Sequence, residues 1–103
     1  MDFARMAEEL TFDLDDFLPL VRLFLEVSAE DLDRLDEAYL LQDLSLAATA
    51  AHSIKGAAAN LGFGELAATA AEIEKKARLG DASPILAGSE SLRAGLAAIR
   101  REL

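Results

Sequence analysis

Residues Ala47 to Phe63 read AATAAHSIKGAAANLGF and contain the only histidine of the chain. If this stretch is a helix, each residue is rotated by about 100° from the one before it, and one arc of the helix is apolar. That arc comprises Leu46, Ala47, Ala50, Ala51, Ile54, Ala57, Ala58 and Leu61. His52 points away from this arc, so we expect the bundle core on one side of the helix and an exposed imidazole on the other.

The residues predicted to share the face of His52 are small. They are Ser45, Ala48, Thr49, Gly56 and Ala59, with Lys55 beside them at i+3 and Asn60 at i+8 as a further hydrogen-bonding candidate. A lone histidine is more often a packed or solvated side chain than a reactive one. However, an exposed helix face normally carries Glu, Lys or Arg, and Gly56 costs a helix about 1 kcal/mol relative to alanine. We therefore interpret this face as reactive or as a docking surface, with Gly56 giving clearance beside His52.

The segment His52-Ser53-Ile54-Lys55-Gly56, followed by Leu61-Gly62, resembles the H-x-x-K-G-x-x-x-x-x-G signature of histidine-containing phosphotransfer (HPt) domains. The similarity extends over Phe12 to Leu103. It implies a helical bundle whose histidine accepts a phosphoryl group from a receiver-domain aspartate and passes it on, in a bacterial two-component phosphorelay. The segments HSIKG and LGF are also similar to the phosphate-accepting domain of chemotaxis-type histidine kinases.

The resemblance assigns a role to three residues. It makes His52 the phosphoacceptor, while Lys55 stabilises the anionic phosphoryl group through its flexible stem and Gly56 leaves room for the partner. Taken alone, Lys55 would be an ordinary exposed lysine. A neutral imidazole is available near neutral pH, and the partner can supply the metal and the activated phosphoryl group. We therefore expect a phosphocarrier rather than an independent turnover enzyme.

Other chemistry is poorly supported by the sequence. General acid–base catalysis lacks a titratable group beside His52 other than Lys55, and Ser53 at i+1 points elsewhere on the helix, so no Ser–His pair is expected. Two alternatives stay open: the phosphate-accepting domain of a chemotaxis-type kinase, and a helical adaptor that binds partners through its apolar N-terminal half and is never phosphorylated. A chain that starts at Met1 without an ATP-binding domain favours the carrier over the kinase domain.

Composition limits the remaining possibilities. The length of 103 residues predicts one domain, and without cysteine and with one histidine we expect no disulfide, metal or cofactor. A net charge of −9 disfavours nucleic acid as a partner. Neither a signal peptide nor an apolar run of about 20 residues is apparent. We expect a cytoplasmic monomer without membrane contact, whose partners are response-regulator receiver domains, a hybrid histidine kinase, or both.

The predicted fold is all-α, an antiparallel up-down-up-down four-helix bundle with a short additional N-terminal helix. Residues 1–11 form this N-terminal appendage, capped by Asp2, and residues 12–103 form the bundle. The first bundle helix is expected to begin at an aspartate among residues 13–16, with Pro19 in its first turn. Its predicted inward stripe is Phe17, Val21, Phe24, Ser28, Leu32, Leu35 and Tyr39. Its first half carries further apolar residues that either the N-terminal helix or a partner covers, namely Leu18, Leu20, Leu23, Leu25 and Val27.

Turn and capping signals define the other three helices. Asp43 is the predicted N-cap of the histidine helix, and Gly62 ends it. The next helix is expected over residues 64–79, with Gly80 after it, and Ser83-Pro84 opens the last helix as N-cap and first helical residue. The predicted inward faces are Leu66, Ala70, Ile73 and Ala77, then Ile85, Gly88, Leu92, Gly95, Ile99 and Leu103; Glu72–Lys76 and Glu74–Arg78 are predicted i,i+4 pairs. Two glycines on an inward face indicate close helix packing.

Overall fold

The computed structural model describes residues 1–103 as five α-helices without a strand. They are α1 (Phe3–Glu9), α2 (Leu14–Leu41), α3 (Leu44–Leu61), α4 (Gly64–Arg78) and α5 (Ile85–Glu102). α2 and α4 each contact both α3 and α5, so four helices surround one core, and short connections make neighbours in the chain antiparallel. The all-α helical bundle predicted from the sequence is confirmed. None of the helices combines the length and apolarity that crossing a membrane requires.

Most helix ends form where local signals predict them. Asp2 and Asp43 each accept a backbone N–H hydrogen bond of 3.0 Å at the start of α1 and α3. Gly62 ends α3 and Gly80 follows α4, with left-handed φ angles of +86° and +83°. Glycine adopts this conformation without steric cost. Local chemistry therefore fixes the beginning and the end of the helix that carries His52.

The prediction for Pro19 is wrong by a turn. α2 begins at Leu14, and its N-cap Asp13 makes no side-chain capping bond. Pro19 therefore lies beyond the first turn, where its missing N–H leaves the carbonyl of Asp15 without its usual intrahelical donor. The helix continues through this position because the rest of its 28 residues are held by packing and intrahelical bonds.

The predicted start of α5 is also displaced. The helix begins at Ile85 and its N-cap is Pro84 rather than Ser83. The backbone N–H of Ser83 donates to the carboxylate of Asp81 at 2.9 Å. This hydrogen bond stabilises a turn that precedes α5. The side chain of Ser83 does not cap the first N–H groups of the helix.

Bulky and small residues are divided between α2 and α3. α2 buries large side chains such as Phe17, Phe24 and Leu32, whereas the buried residues of α3 are alanines except for Ile54. Alanine lets neighbouring backbones approach closely, so α3 packs tightly against its neighbours. The backbone that carries His52 is consequently held in place by the neighbouring helices on its buried side.

Two of the predicted inward residues are exposed at the ends of the bundle. Tyr39 is 39% exposed and lines an open cleft with Leu44 and Ala82, because the connection between α4 and α5 leaves this end of α2 uncovered. Ala38 is buried instead. Leu103 is 41% exposed because it follows the end of α5.

Gly88 and Gly95 lie where α5 packs against α4. A Cβ atom added to Gly88 would lie 2.6 Å from Cδ1 of Ile73, and one added to Gly95 would overlap Leu66. No side chain fits at either position unless α4 moves or its side chains rearrange. The prediction of close helix packing at the two glycines is confirmed, and we call these four residues the α4–α5 seam.

The extra apolar residues on the first half of α2 are only partly covered. α1 packs on the bundle through the buried Ala7. Leu25 is buried, whereas Leu23 and Val27 are 55% and 38% exposed. The bundle itself therefore accounts for part of the wide apolar stripe but leaves these two side chains in contact with solvent.

Candidate functional site

His52 lies in the middle of α3 on the side away from the core. Its side chain is 62% exposed, whereas Ala51 and Ile54 beside it in the chain are buried. This orientation follows from the helical periodicity of the apolar residues, as the sequence predicts. The imidazole can therefore be reached by another molecule without unfolding any part of the bundle.

A carboxylate from α4 binds one nitrogen of the ring. Oε2 of Glu74 lies 2.9 Å from Nδ1 of His52, and the Glu74 side chain is only 10% exposed. A carboxylate accepts hydrogen bonds, so this contact favours a proton on Nδ1. In the neutral ring Nε2 then carries a free lone pair. Glu74 thus selects which ring nitrogen is available for chemistry.

Two permanent cations bind the same carboxylate. Nζ of Lys55 lies 2.6 Å from Oε1 of Glu74, and Arg78 donates to Oε2 from Nε at 3.1 Å and from Nη2 at 2.8 Å. The hydrogen bond from Lys55, opposed by burial and reinforced by bonds from Arg78 and His52, lowers the pKa of Glu74 to about 2. Glu74 is therefore ionised at neutral pH although it is largely covered.

Glu74 is absent from the residues that the sequence predicts for this site. The predicted i,i+4 bond between Glu74 and Arg78 is present, but the contact with His52 joins residues 22 positions apart on different helices. One signal was available in the sequence. Glu74 lies between the inward residues Ile73 and Ala77 of α4, and an acidic group on the core side of a helix needs a partner.

Gly56, one turn after His52, faces open space. A Cβ atom added there would have no heavy atom within 4 Å. Packing within the chain therefore gives no reason for a glycine at this position. The clearance role of Gly56 stays a prediction about an incoming molecule.

The exposed surface around His52 is narrower than the sequence predicts. Ala48 is buried with 2% exposure rather than exposed beside His52, because the alanine-rich helices α3 and α4 pack closely and bring Ala77 and Arg78 next to it. Asn60 is exposed but makes no hydrogen bond with His52. We use the term His52 face for the exposed outer side of α3 around His52, Gly56 and Asn60.

Ser53 is directed towards α2. Its hydroxyl donates to Oδ2 of Asp31 at 2.6 Å, and Arg34 binds the other oxygen of Asp31 at 3.0 Å. Asp31 is buried. As expected, Ser53 is not paired with His52; its hydrogen bond instead joins α3 to α2 directly beside the histidine.

Comparison with known proteins gives one match. The family model described as the Hpt domain matches residues 19–102. This range includes most of α2 and all of α3, α4 and α5, and with them His52, Lys55 and Glu74. No curated protein and no solved structure matches the chain.

Proposed function

The chain belongs to the Hpt domain family, whose members carry out histidine phosphotransfer in phosphorelays, and on this premise we propose that His52 is its phosphoacceptor. The protein accepts a phosphoryl group from a receiver-domain aspartate and donates it to another, in the cytoplasm of a bacterial cell. Its partners are response-regulator receiver domains, a hybrid histidine kinase, or both. The observation that supports this best is the exposed ring whose Nδ1 is bound by Glu74, leaving Nε2 free.

In the proposed transfer Nε2 is the reacting atom, and the ring becomes charged as the transfer proceeds. The lone pair of Nε2 attacks phosphorus in line with the departing carboxylate oxygen of the donor aspartate. The N–P bond forms as the P–O bond breaks, and the electron pair of that bond stays on the aspartate oxygen. Nδ1 keeps its proton, so the ring becomes positively charged. Glu74, 2.9 Å away, stabilises this charge, and transfer to an acceptor aspartate reverses the steps.

Lys55 and Gly56 assist the transfer in different ways. Lys55 is partly exposed and has a flexible stem, so its ammonium can turn from Glu74 towards the oxygens of a phosphoryl group on Nε2. Gly56 leaves room where the receiver domain approaches, which agrees with the open space that a Cβ atom at this position would meet. Neither residue breaks a covalent bond in this scheme; one neutralises charge and the other permits contact.

A labelling experiment tests the proposal against its alternatives. The protein is incubated with a phosphorylated receiver domain and, separately, with a histidine kinase core and ATP, and acid-labile phosphate on His52 is measured. A phosphorelay carrier is labelled by the receiver domain. Labelling by the kinase core alone would indicate the phosphate-accepting domain of a chemotaxis-type kinase. If neither donor labels His52, the protein is an adaptor and the proposal is wrong.

A further inference from the structure

Two hydrogen bonds from serine to aspartate join α2 to its neighbours. The hydroxyl of Ser53 on α3 donates to Oδ2 of Asp31 at 2.6 Å. The hydroxyl of Ser89 on α5 donates to Oδ1 of Asp36 at 2.5 Å. Both bonds are short, as is usual when a hydroxyl donates to an ionised carboxylate. The first lies one residue from His52 and the second on a different helix, so the same contact occurs once beside the site and once away from it.

Asp31 depends on Ser53 for its link to α3. The residue is only 5% exposed, and its side chain accepts hydrogen bonds from Ser53 and from Arg34. The bond from Arg34 lies within α2 and cannot fix the position of another helix. Leaving an oxygen of a buried carboxylate without a donor is costly. The bond from Ser53 therefore resists any movement of α3 away from Asp31.

Polar contacts hold α3 on two flanks at the level of His52. Towards α4, Nδ1 of His52 lies 2.9 Å from Oε2 of Glu74. Towards α2, Ser53 binds Asp31. Successive residues of a helix are rotated by about 100° and rise by about 1.5 Å, so the two contacts leave α3 in different directions at nearly the same height. A rotation of α3 about its axis would consequently strain both.

The contact between His52 and Glu74 requires fine alignment. The close packing of the alanine-rich α3 brings the ring within reach of the carboxylate. An N–H···O hydrogen bond nevertheless weakens beyond about 3.2 Å, and reactive groups are typically held to within about 0.5 Å by hydrogen bonds among the residues that support them. A bond between helices directly beside the histidine can supply this precision.

We propose that Ser53 and Asp31 are positioning residues for the phosphotransfer reaction, because their hydrogen bond holds α3 in the rotation at which Nδ1 of His52 meets Glu74. The inference rests on the proposed function of His52. Neither Ser53 nor Asp31 touches the phosphoryl group. Without their bond α3 can turn, Nδ1 loses its acceptor for part of the time, and the proton of the neutral ring is shared between both nitrogens. The fraction of rings with a free lone pair on Nε2 then falls.

The test observes the ring of His52 in the full chain labelled with ¹⁵N. At a pH at which the imidazole is neutral, ¹H–¹⁵N correlation spectra of the ring give the fraction with its proton on Nδ1. We expect this fraction to fall in Ser53→Ala and to recover towards the parental value in Ser53→Thr, which restores the hydroxyl. Phosphorylation by phosphoramidate, a small donor that needs no docking surface, should slow in Ser53→Ala by the same factor as the fraction falls.

Ser89→Ala is the matched control, because it removes the other serine–aspartate bond, which joins α5 to α2. If Ser53 served stability alone, both alanine variants would lower the melting temperature and leave the ring proton unchanged. That result, or an equal change of the ring in Ser89→Ala, would overturn the inference and leave the proposed function intact. If the ring responds only to Ser53→Ala but the parent forms no phosphohistidine, the proposed function is wrong, and the bond orients His52 for another purpose.

Discussion

The helices α5 and α3, which both pack against α4, use glycine in opposite ways. In α5, the space beside Gly88 and Gly95 is occupied by Ile73 and Leu66 of α4, so any added side chain meets the neighbouring helix. In α3, a Cβ atom added to Gly56 would have no heavy atom within 4 Å. The seam is apolar and closed, whereas the His52 face is open. The surroundings of a helical glycine therefore indicate whether it allows two helices to pack closely or allows another molecule to approach.

The contrast between the closed seam and the open His52 face suggests that stability and function depend on different residues. Residues of the α4–α5 seam are expected to determine whether the bundle is stable, and residues of the His52 face to determine whether it transfers phosphate. A substitution that changed both properties equally at one of these places would contradict the division.

The largest expected effect is the loss of phosphoryl acceptance in His52→Gln. The ring provides the only nucleophilic nitrogen of the proposed mechanism, so acceptance from both phosphoramidate and a receiver domain should disappear. The side chain is 62% exposed, and we therefore expect helicity and melting temperature close to those of the parent. A destabilisation by several kcal/mol would show instead that His52 contributes to packing.

The opposite outcome is expected for Gly95→Leu. The new side chain would collide with Leu66, and overpacking of this kind typically destabilises a protein by about 1–3 kcal/mol. Urea unfolding measures the difference. Gly56→Leu is the matched control, because the same substitution is made at a helix position that faces no neighbouring side chain. Equal stability of Gly95→Leu and the parent would mean that α4 and α5 can separate without cost.

Gly56→Leu should reverse the relation between stability and function. Leucine improves helix propensity by somewhat under 1 kcal/mol, and the open surroundings accommodate it, so the variant should be at least as stable as the parent. Phosphoryl acceptance from a receiver domain should be much slower, while acceptance from phosphoramidate is less affected.

The two donors distinguish the explanations for this variant. If both reactions slow equally, Gly56 affects the position of the imidazole rather than the approach of a partner. If neither slows, the receiver domain docks elsewhere on the molecule.

The smallest effect concerns the pH dependence of stability in Glu74→Gln. The pKa of Glu74 is lowered from 4.5 to about 2, so its charge stabilises the folded state above pH 4.5 and this contribution is lost as the pH falls towards 2. The difference in unfolding free energy between parent and variant should therefore shrink over this interval. The other carboxylates titrate in both proteins and cancel. A constant difference would show that the ionised form of Glu74 is not favoured by folding.

The features predictable from the sequence are those with local causes. Gly62 and Gly80 end helices because of their own backbone freedom, and the inward glycines of α5 follow from helical periodicity. The burial of Ala48 and the exposure of Tyr39 depend on whether a neighbouring helix covers each residue. The periodicity of one helix does not show where its neighbours lie.

The contact between Glu74 and His52 was unpredictable for a related reason. It depends on the relative rotation and translation of α3 and α4, which their close packing fixes. The predicted pair with Arg78 lies within one helix and needs no such knowledge. Tertiary packing therefore turns an ordinary helix-surface pair into part of the site.

The orientation of the imidazole has a kinetic consequence. Because Glu74 occupies Nδ1, the proposed mechanism uses Nε2 in every exchange, and under it a donor and an acceptor domain cannot be bound productively at the same time. Each complex must dissociate before the next forms, so a long-lived complex would slow signal flow. We therefore expect complexes with short residence times, set by dissociation rates, and contact areas below about 1,200 Å², which are typical of weak transient complexes.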